Sequence, residues 1–237
     1  MSWHLGRLCG FDLETTGVDV ENDRIVTACV VLCGGKHPTQ STTWLANPGM
    51  EIPEAASAVH GITNEKAQTE GQPAGQVVQQ VVQALAQAFN AGIPIVAMNA
   101  PFDLTMLDRE ARRHHVFPLA DYIDGILRVI DPRILDKHVD TYRSGKRRLT
   151  DLCAHYGVPL EGAHSADADA LAACRVVKRL GSRYPKLAEL DVDALHKAQI
   201  EWAAEQAASF QAHLRSKGET DAVIDGSWPM RPVGGAA

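Results

Sequence analysis

The stretch GFDLETTG, Gly10 to Gly17, decides how this 237-residue chain is read. It follows the apolar pair Leu8-Cys9 and reads as a strand, in which successive side chains point to opposite faces. Asp12 and Glu14 then share one face, while Phe11 and Leu13 share the other. Two carboxylates side by side repel, and burying them unpaired is costly. If this strand lies inside a sheet, something positive must sit between them.

The neighbouring segments place the strand in a sheet. LCGFDLET (8–15), RIVTACVVLCGG (24–35) and STTWLANPG (41–49) read as three strands, the second rich in β-branched residues. Their short connections favour an antiparallel meander. QVVQQVVQALAQAF (76–89) reads as a helix ended by Asn90-Ala91-Gly92, and IPIVAMN (93–99) as a buried fourth strand. PFDLTMLDREARRHH (101–115) is a helix with Pro101 in its first turn, where proline is tolerated. One more strand is expected near ILRVID (126–131). Two further helices are expected, LTDLCAHYG (149–157) ending at Gly157 and SADADALAACRVVKRLG (165–181) ending at Gly181. The fold class is therefore α/β, with a five-stranded mixed sheet flanked by helices and a C-terminal helical extension. The expected divisions are a main domain over 1–182, a helical extension over 183–217 and a Pro/Gly-rich, loosely ordered tail over 218–237.

From Tyr184 to about Lys217 the chain is expected to be wholly helical. Leu195, Ala198, Trp202, Ala203, Ala207, Phe210 and Leu214 form an apolar stripe at three- and four-residue spacing. The stripe suits packing on the main domain, or an interface with a second copy or another partner. The tail contains GSWPMRPVGGAA (226–237), a composition that favours loose attachment.

Composition limits the function classes. Hydrophobic residues make up 45% and charged residues 22%, enough for a substantial core without staples. The net charge of -6 argues against broad coating of a duplex, yet leaves room for a small site that handles one strand end through metal ions. Cys29 and Cys33 share a strand face about 13 Å apart, too far for a disulfide or a common metal. All five cysteines are read as reduced. No apolar run reaches the ~18 residues of a membrane span and no signal peptide is evident, so the expected location is the cytoplasm.

Three acidic pieces carry the chemistry: Asp12 and Glu14 on the first strand, Asp103 in the first turn of one helix, and His164 with Asp169 at the start of another. Each alone has an ordinary explanation, since acids favour helix N-termini and acid-x-acid triplets are common on solvated faces. Together they suit one mechanism. Four carboxylates are hard oxygen ligands for Mg²⁺ or Mn²⁺. Two such ions ~3.5–4 Å apart can activate a water and stabilise the leaving oxygen of a phosphodiester. A histidine with an unperturbed pKa of ~6.5 can take the proton from that water.

FDLETTG (11–17), NAPFDLTML (99–107) and HSADAD (164–169) resemble, in order and separation, the three motifs of the DEDDh 3′-to-5′ exonucleases. This family includes the proofreading subunit of bacterial DNA polymerase III, RNase T and oligoribonuclease. IPEAASAVHGIT (52–63) and GKRRLTDLCAHYGV (145–158) extend the resemblance, which covers about residues 7 to 180. It implies a ribonuclease H-like fold. Two divalent ions would be held by Asp12, Glu14, Asp103 and Asp169, with Asp12 bridging them and His164 as general base. Thr15, Thr16, His60, Asn99 and Phe102 would lie near the terminal nucleotide. The implied reaction is hydrolysis at the 3′ end of single-stranded DNA, releasing nucleoside 5′-monophosphates. RNA or short oligonucleotides are the alternative substrate, and a polymerase-associated proofreading subunit with a mainly interacting role is the alternative setting.

Two features stand apart. Met98 occupies a position that is histidine in many relatives, and it reads as a core substitution. The basic stretch YRSGKRRL (142–149) is either a solvated loop or a set of phosphate contacts, with Arg147 the candidate contact.

Overall fold

The computed structural model describes residues 2–160 and 165–234. Strands β1 (Arg7–Thr15), β2 (Ile25–Gly34) and β3 (His37–Asn47) form the antiparallel meander. β5 (Ile95–Val96) pairs parallel with β1 through Cys9↔Ile95, and β6 (Val129–Ile130) pairs parallel with β5. The sheet has six strands in the order β4-β3-β2-β1-β5-β6, one more than expected. The addition is β4 (Gln72–Pro73), two residues lying parallel to the end of β3. So short a segment has no periodicity to detect, and its proline suits only a sheet edge.

Helices cover both faces of the sheet. Phe11 and Leu13 of β1 join a core with α3 (Ala74–Asn90) and α4 (Ala100–Arg113). Leu8, on the other face, joins a core with α6 (Leu149–Tyr156) and α7 (Ala166–Arg183). On that second face Gly10 lets α7 come very close. A Cβ at Gly10 would stand 2.5 Å from the carbonyl oxygen of Ala170 and 2.9 Å from Cys174 Sγ. The helix neighbour of Ala170 is Asp169, so this close approach sets where that acid meets β1. α6 ends as expected at Gly157 in the left-handed conformation. α7 does not end at Gly181. It continues to Arg183, and Gly181 is buried where a Cβ would stand 2.5 Å from His4 Cβ. That glycine makes room for packing rather than stopping the helix. The five cysteines are buried and free.

The C-terminal extension is two helices, α8 (Pro185–Glu189) and α9 (Val192–Ser216). The break falls at Leu190-Asp191, where the Asp191 side chain caps α9 by accepting from Ala194 N at 2.7 Å. α9 covers the outer edge of β6. Gln199 Nε2 donates to Val129 O at 3.0 Å, and Gln199 Oε1 accepts from Asp131 N at 2.8 Å. Val129 N donates to His196 Nδ1 at 3.3 Å. Helix side chains thus satisfy backbone groups that an exposed edge would leave open. Within the apolar stripe Leu195 and Ala203 are buried, and the Trp202 ring stacks on His138 at 3.6 Å.

The tail was expected to be loosely ordered; in its described part, 218–234, both ends are exposed and the stretch around Trp228 packs on the fold. Trp228 is buried against His196, Arg231 N donates to Thr105 Oγ1 at 2.9 Å, and Arg109 Nη2 donates to Pro232 O at 2.8 Å. One tryptophan supplies apolar area that the average composition of the tail conceals. Among the described residues, no helix is long and apolar enough to cross a membrane.

Candidate active site

Alternation along β1 places Gly10, Asp12 and Glu14 on the face that α7 covers. Carboxylate oxygens of Asp12, Glu14 and Asp169 lie within 4.8 Å of one another. The fourth acid arrives from α4. Asp103 is buried, and its Oδ1 accepts a hydrogen bond from Leu13 N at 3.1 Å, between the two strand acids. The four carboxylates predicted from sequence are therefore brought to one end of β1.

Their electrostatics are those of acids crowded together at a buried site. Burial, then repulsion from Asp103, Asp169 and Glu14, raises the Asp12 carboxyl well above its ordinary value. Burial and Asp169 push Glu14 up to about 7. Asp103 is raised by burial, against the lowering effect of its backbone hydrogen bonds. The donor set fits divalent cations. Hard oxygens within 4.8 Å of one another can share one ion with ligand distances of about 2.0–2.6 Å. Asp12, Glu14 and Asp169 would hold it, with Asp103 beside them for a second. His164 lies outside the described residues.

An acid that sequence reasoning did not single out locks α4 in place. Asn99 is the N-cap of α4 in the left-handed conformation, and its side chain makes no cap hydrogen bond. Asp131 does the capping instead, accepting from Asn99 N at 3.2 Å and Ala100 N at 3.0 Å. The same carboxylate caps α5 (Pro132–Val139) through Arg133 N at 2.9 Å. The signal was present in VIDP, an acid at a strand end directly before a proline at a helix start. Its second target, 31 residues away, was not readable locally.

The structure sorts the remaining candidates. His60 ends α1 (Glu54–His60), accepts from Ile62 N at 3.1 Å through Nδ1 and lies against the Thr15 backbone, with burial lowering its pKa. This places it beside Thr15 of the first motif. Phe102 is partly buried against the core on the α3–α4 side. Thr15 Oγ1 donates to Gly17 O at 2.6 Å, and the buried Thr16 donates from Oγ1 to Asp23 Oδ1 at 2.8 Å. Both hydroxyls are used to shape the turn after β1. Arg147 is not free for phosphate. Its Nε donates to Asp136 Oδ2 at 2.8 Å, beside Arg143 at 2.7 Å, and Asp136 Oδ1 accepts from the Tyr156 hydroxyl at 2.8 Å. Asp136 is fully buried, so this guanidinium neutralises a core carboxylate. Met98 packs against the core on the α7 side, as its reading as a core substitution expects.

Comparison with known proteins agrees with this geometry. The RNase T exonuclease family model matches residues 9–177. A DNA polymerase III subunit epsilon from Treponema pallidum is 27% identical over 170 residues, covering 68% of this chain and 69% of that protein. A DNA polymerase III subunit epsilon-like protein from Rhodobacter capsulatus is 36% identical over 103 residues, 42% of this chain but 14% of that protein. Among solved structures, Escherichia coli exonuclease I in complex with a dT13 oligonucleotide superposes with a TM-score of 0.64 at 18% identity, over 77% of this chain and 42% of that one. Exonuclease I from Methylocaldum szegediense gives 0.63 at 19%, over 76% and 41%. The chain thus spans less than half the length of these structures, and they share its fold. With the family model spanning the strand acids, α4 and most of α7, the chain belongs to the RNase T exonuclease family, the DEDDh-type 3′-to-5′ exonucleases.

Proposed function

We propose that this chain hydrolyses the terminal phosphodiester at the 3′ end of single-stranded DNA, releasing nucleoside 5′-monophosphates. The observation that carries the reading is the meeting of Asp12, Glu14 and Asp169 within 4.8 Å, with Asp103 tied to the strand between the first two. When bound, two Mg²⁺ or Mn²⁺ ions would supply Lewis-acid chemistry, making water more acidic and neutralising charge at the phosphoryl oxygens. The residues of the chain do the rest. Asp12, Glu14, Asp103 and Asp169 hold the ions, and His164 takes the proton of the attacking water. The turn at Thr15-Thr16, with His60 and Asn99 and Phe102 nearby, receives the last nucleotide. Residues 1–182 carry this chemistry, and α9 braces the sheet edge next to it.

The names of the relatives favour a proofreading or repair setting with a DNA polymerase as partner. The oligonucleotide in the exonuclease I structure favours a single strand as substrate. The test uses 5′-labelled single-stranded DNA and RNA of equal sequence with Mg²⁺ or Mn²⁺, comparing wild type with Asp12→Asn. A DNA ladder shortening from the 3′ end, lost in the variant, is the expected result. Shortening on RNA alone moves the substrate to RNA, and shortening that survives in Asp12→Asn overturns the proposed metal site.

A further inference from the structure

Beside the N-terminus of α4 lies a cavity of about 160 Å³ that reaches from Asn99 and Pro101, past Arg133 and Lys137 of α5, to Phe210 of α9 and Trp228 of the tail. Asn99, which lines the cavity, stands about one helical turn before Asp103 at the start of α4, a rise of about 6 Å along the axis. It is smaller than the roughly 300–1,000 Å³ of a site for a drug-sized ligand, which suits a planar group entering from a longer molecule.

Its chemistry is that of a nucleotide seat. Phe210 is 45% exposed, which leaves part of its ring open to a ligand. Lys137 Nζ sits 5.8 Å from the centre of that ring. Arg133 is exposed, and its Nη1 donates to Asn99 Oδ1 at 2.6 Å, with the Asp131 carboxylate near enough to offset part of its charge. The two carboxylates lining the cavity already have partners. Asp131 accepts from the backbone of Asn99, Ala100 and Arg133, and Asp225 pairs with Arg231 at 3.5 Å. An exposed ring with Lys137 beside it, in a cavity that Arg133 also lines, matches how proteins hold a single strand, with the base stacked and the backbone neutralised.

We propose that this cavity, closed on one side by the C-terminal extension, seats nucleotides upstream of the scissile bond, with a base against Phe210 and phosphates on Arg133 and Lys137. The proposal rests on the exonuclease reading above and adds to it a role for α9 in strand binding.

Fluorescence anisotropy with 5′-labelled DNA tests it. A strand of about 12 nucleotides is compared with a dinucleotide, in Ca²⁺ to support binding without turnover. Phe210→Ala is expected to lower the ratio of long-strand to dinucleotide affinity about tenfold. Lys137→Gln is expected to lower it too and to reduce the salt dependence of long-strand binding by about 0.7 in the log–log slope. Thermal melting of each variant checks the fold. An affinity ratio equal to wild type in both folded variants overturns the proposal. If wild-type protein binds neither length and hydrolyses neither DNA nor RNA with Mg²⁺ or Mn²⁺, the exonuclease reading falls as well, which separates the two failures.

Discussion

The Asp103 carboxylate accepts a hydrogen bond from the Leu13 amide at 3.1 Å, which ties the first turn of α4 to β1 between Asp12 and Glu14. One side chain thus has two tasks. An oxygen atom fixes the helix to the strand, and the negative charge adds to the acid cluster. Asp103→Asn separates them, because the amide keeps an acceptor oxygen but not the charge. Hydrolysis is expected to fall on the order of a hundredfold or more, while the melting temperature stays level or rises. Asp103→Ala is expected also to cost about 1–3 kcal/mol by leaving a buried N–H unpaired. Steady-state kinetics beside urea unfolding reads both effects.

Gly10→Ala tests the close approach of α7. The added methyl meets the Ala170 carbonyl at 2.5 Å and Cys174 Sγ at 2.9 Å, and neither is the end of a long side chain that could swing away. Overpacking of this kind costs about 1–3 kcal/mol. The helix must shift, and Asp169 shifts with it. Activity measured well below the melting temperature should therefore drop as well. A variant that loses stability but keeps full activity would show that α7 absorbs the methyl without moving Asp169.

The acid cluster gives the metal-free protein a pH dependence of definite sign. The folded protein raises Glu14 from its ordinary 4.5 to about 7, and Asp12 and Asp103 move the same way. Between those limits the folded state holds more protons than the unfolded chain. Stability without metal should then fall as pH rises from about 4.5 to about 7, with the Glu14 share of the penalty fully present above that window and Asp12 and Asp103 adding in the same direction. Mg²⁺ or Mn²⁺ should raise the melting temperature more at pH ~8 than at pH ~5, because ions compete with protons for the same oxygens. Asp12→Asn should stabilise the metal-free protein and weaken the response to metal. Scanning calorimetry with and without EDTA measures these quantities.

Arg147 should behave as a structural residue. Its partner Asp136 is buried and also binds Arg143 and Tyr156. Arg147→Met is expected to lose about 1–3 kcal/mol of stability by leaving that carboxylate short of a charge-assisted bond. The salt dependence of oligonucleotide binding should stay at the wild-type slope. A flatter slope in a stably folded variant would return Arg147 to the phosphate contacts.

The local elements and the acid set were legible in the sequence because their signals are short-ranged. Period-two alternation in GFDLETTG put Asp12 and Glu14 on one face, and Gly157 marked the end of α6. Asp103 and Asp169 occupy early turns of helices, where acids are expected. Tertiary structure alone decided how these pieces meet. The cap of α4 comes from Asp131, whose backbone N–H is bonded in turn by Gln199, 68 residues further on. Arg147 belongs to a buried carboxylate because α5 turns Asp136 inward beneath it. Trp228 anchors a tail whose Gly/Pro content suggested looseness, because α4 and α9 leave a place for its ring. A local pattern depends on backbone geometry over one turn or one pleat. Which polar group a distant side chain satisfies depends on the packing of the whole chain, and no window of sequence contains it.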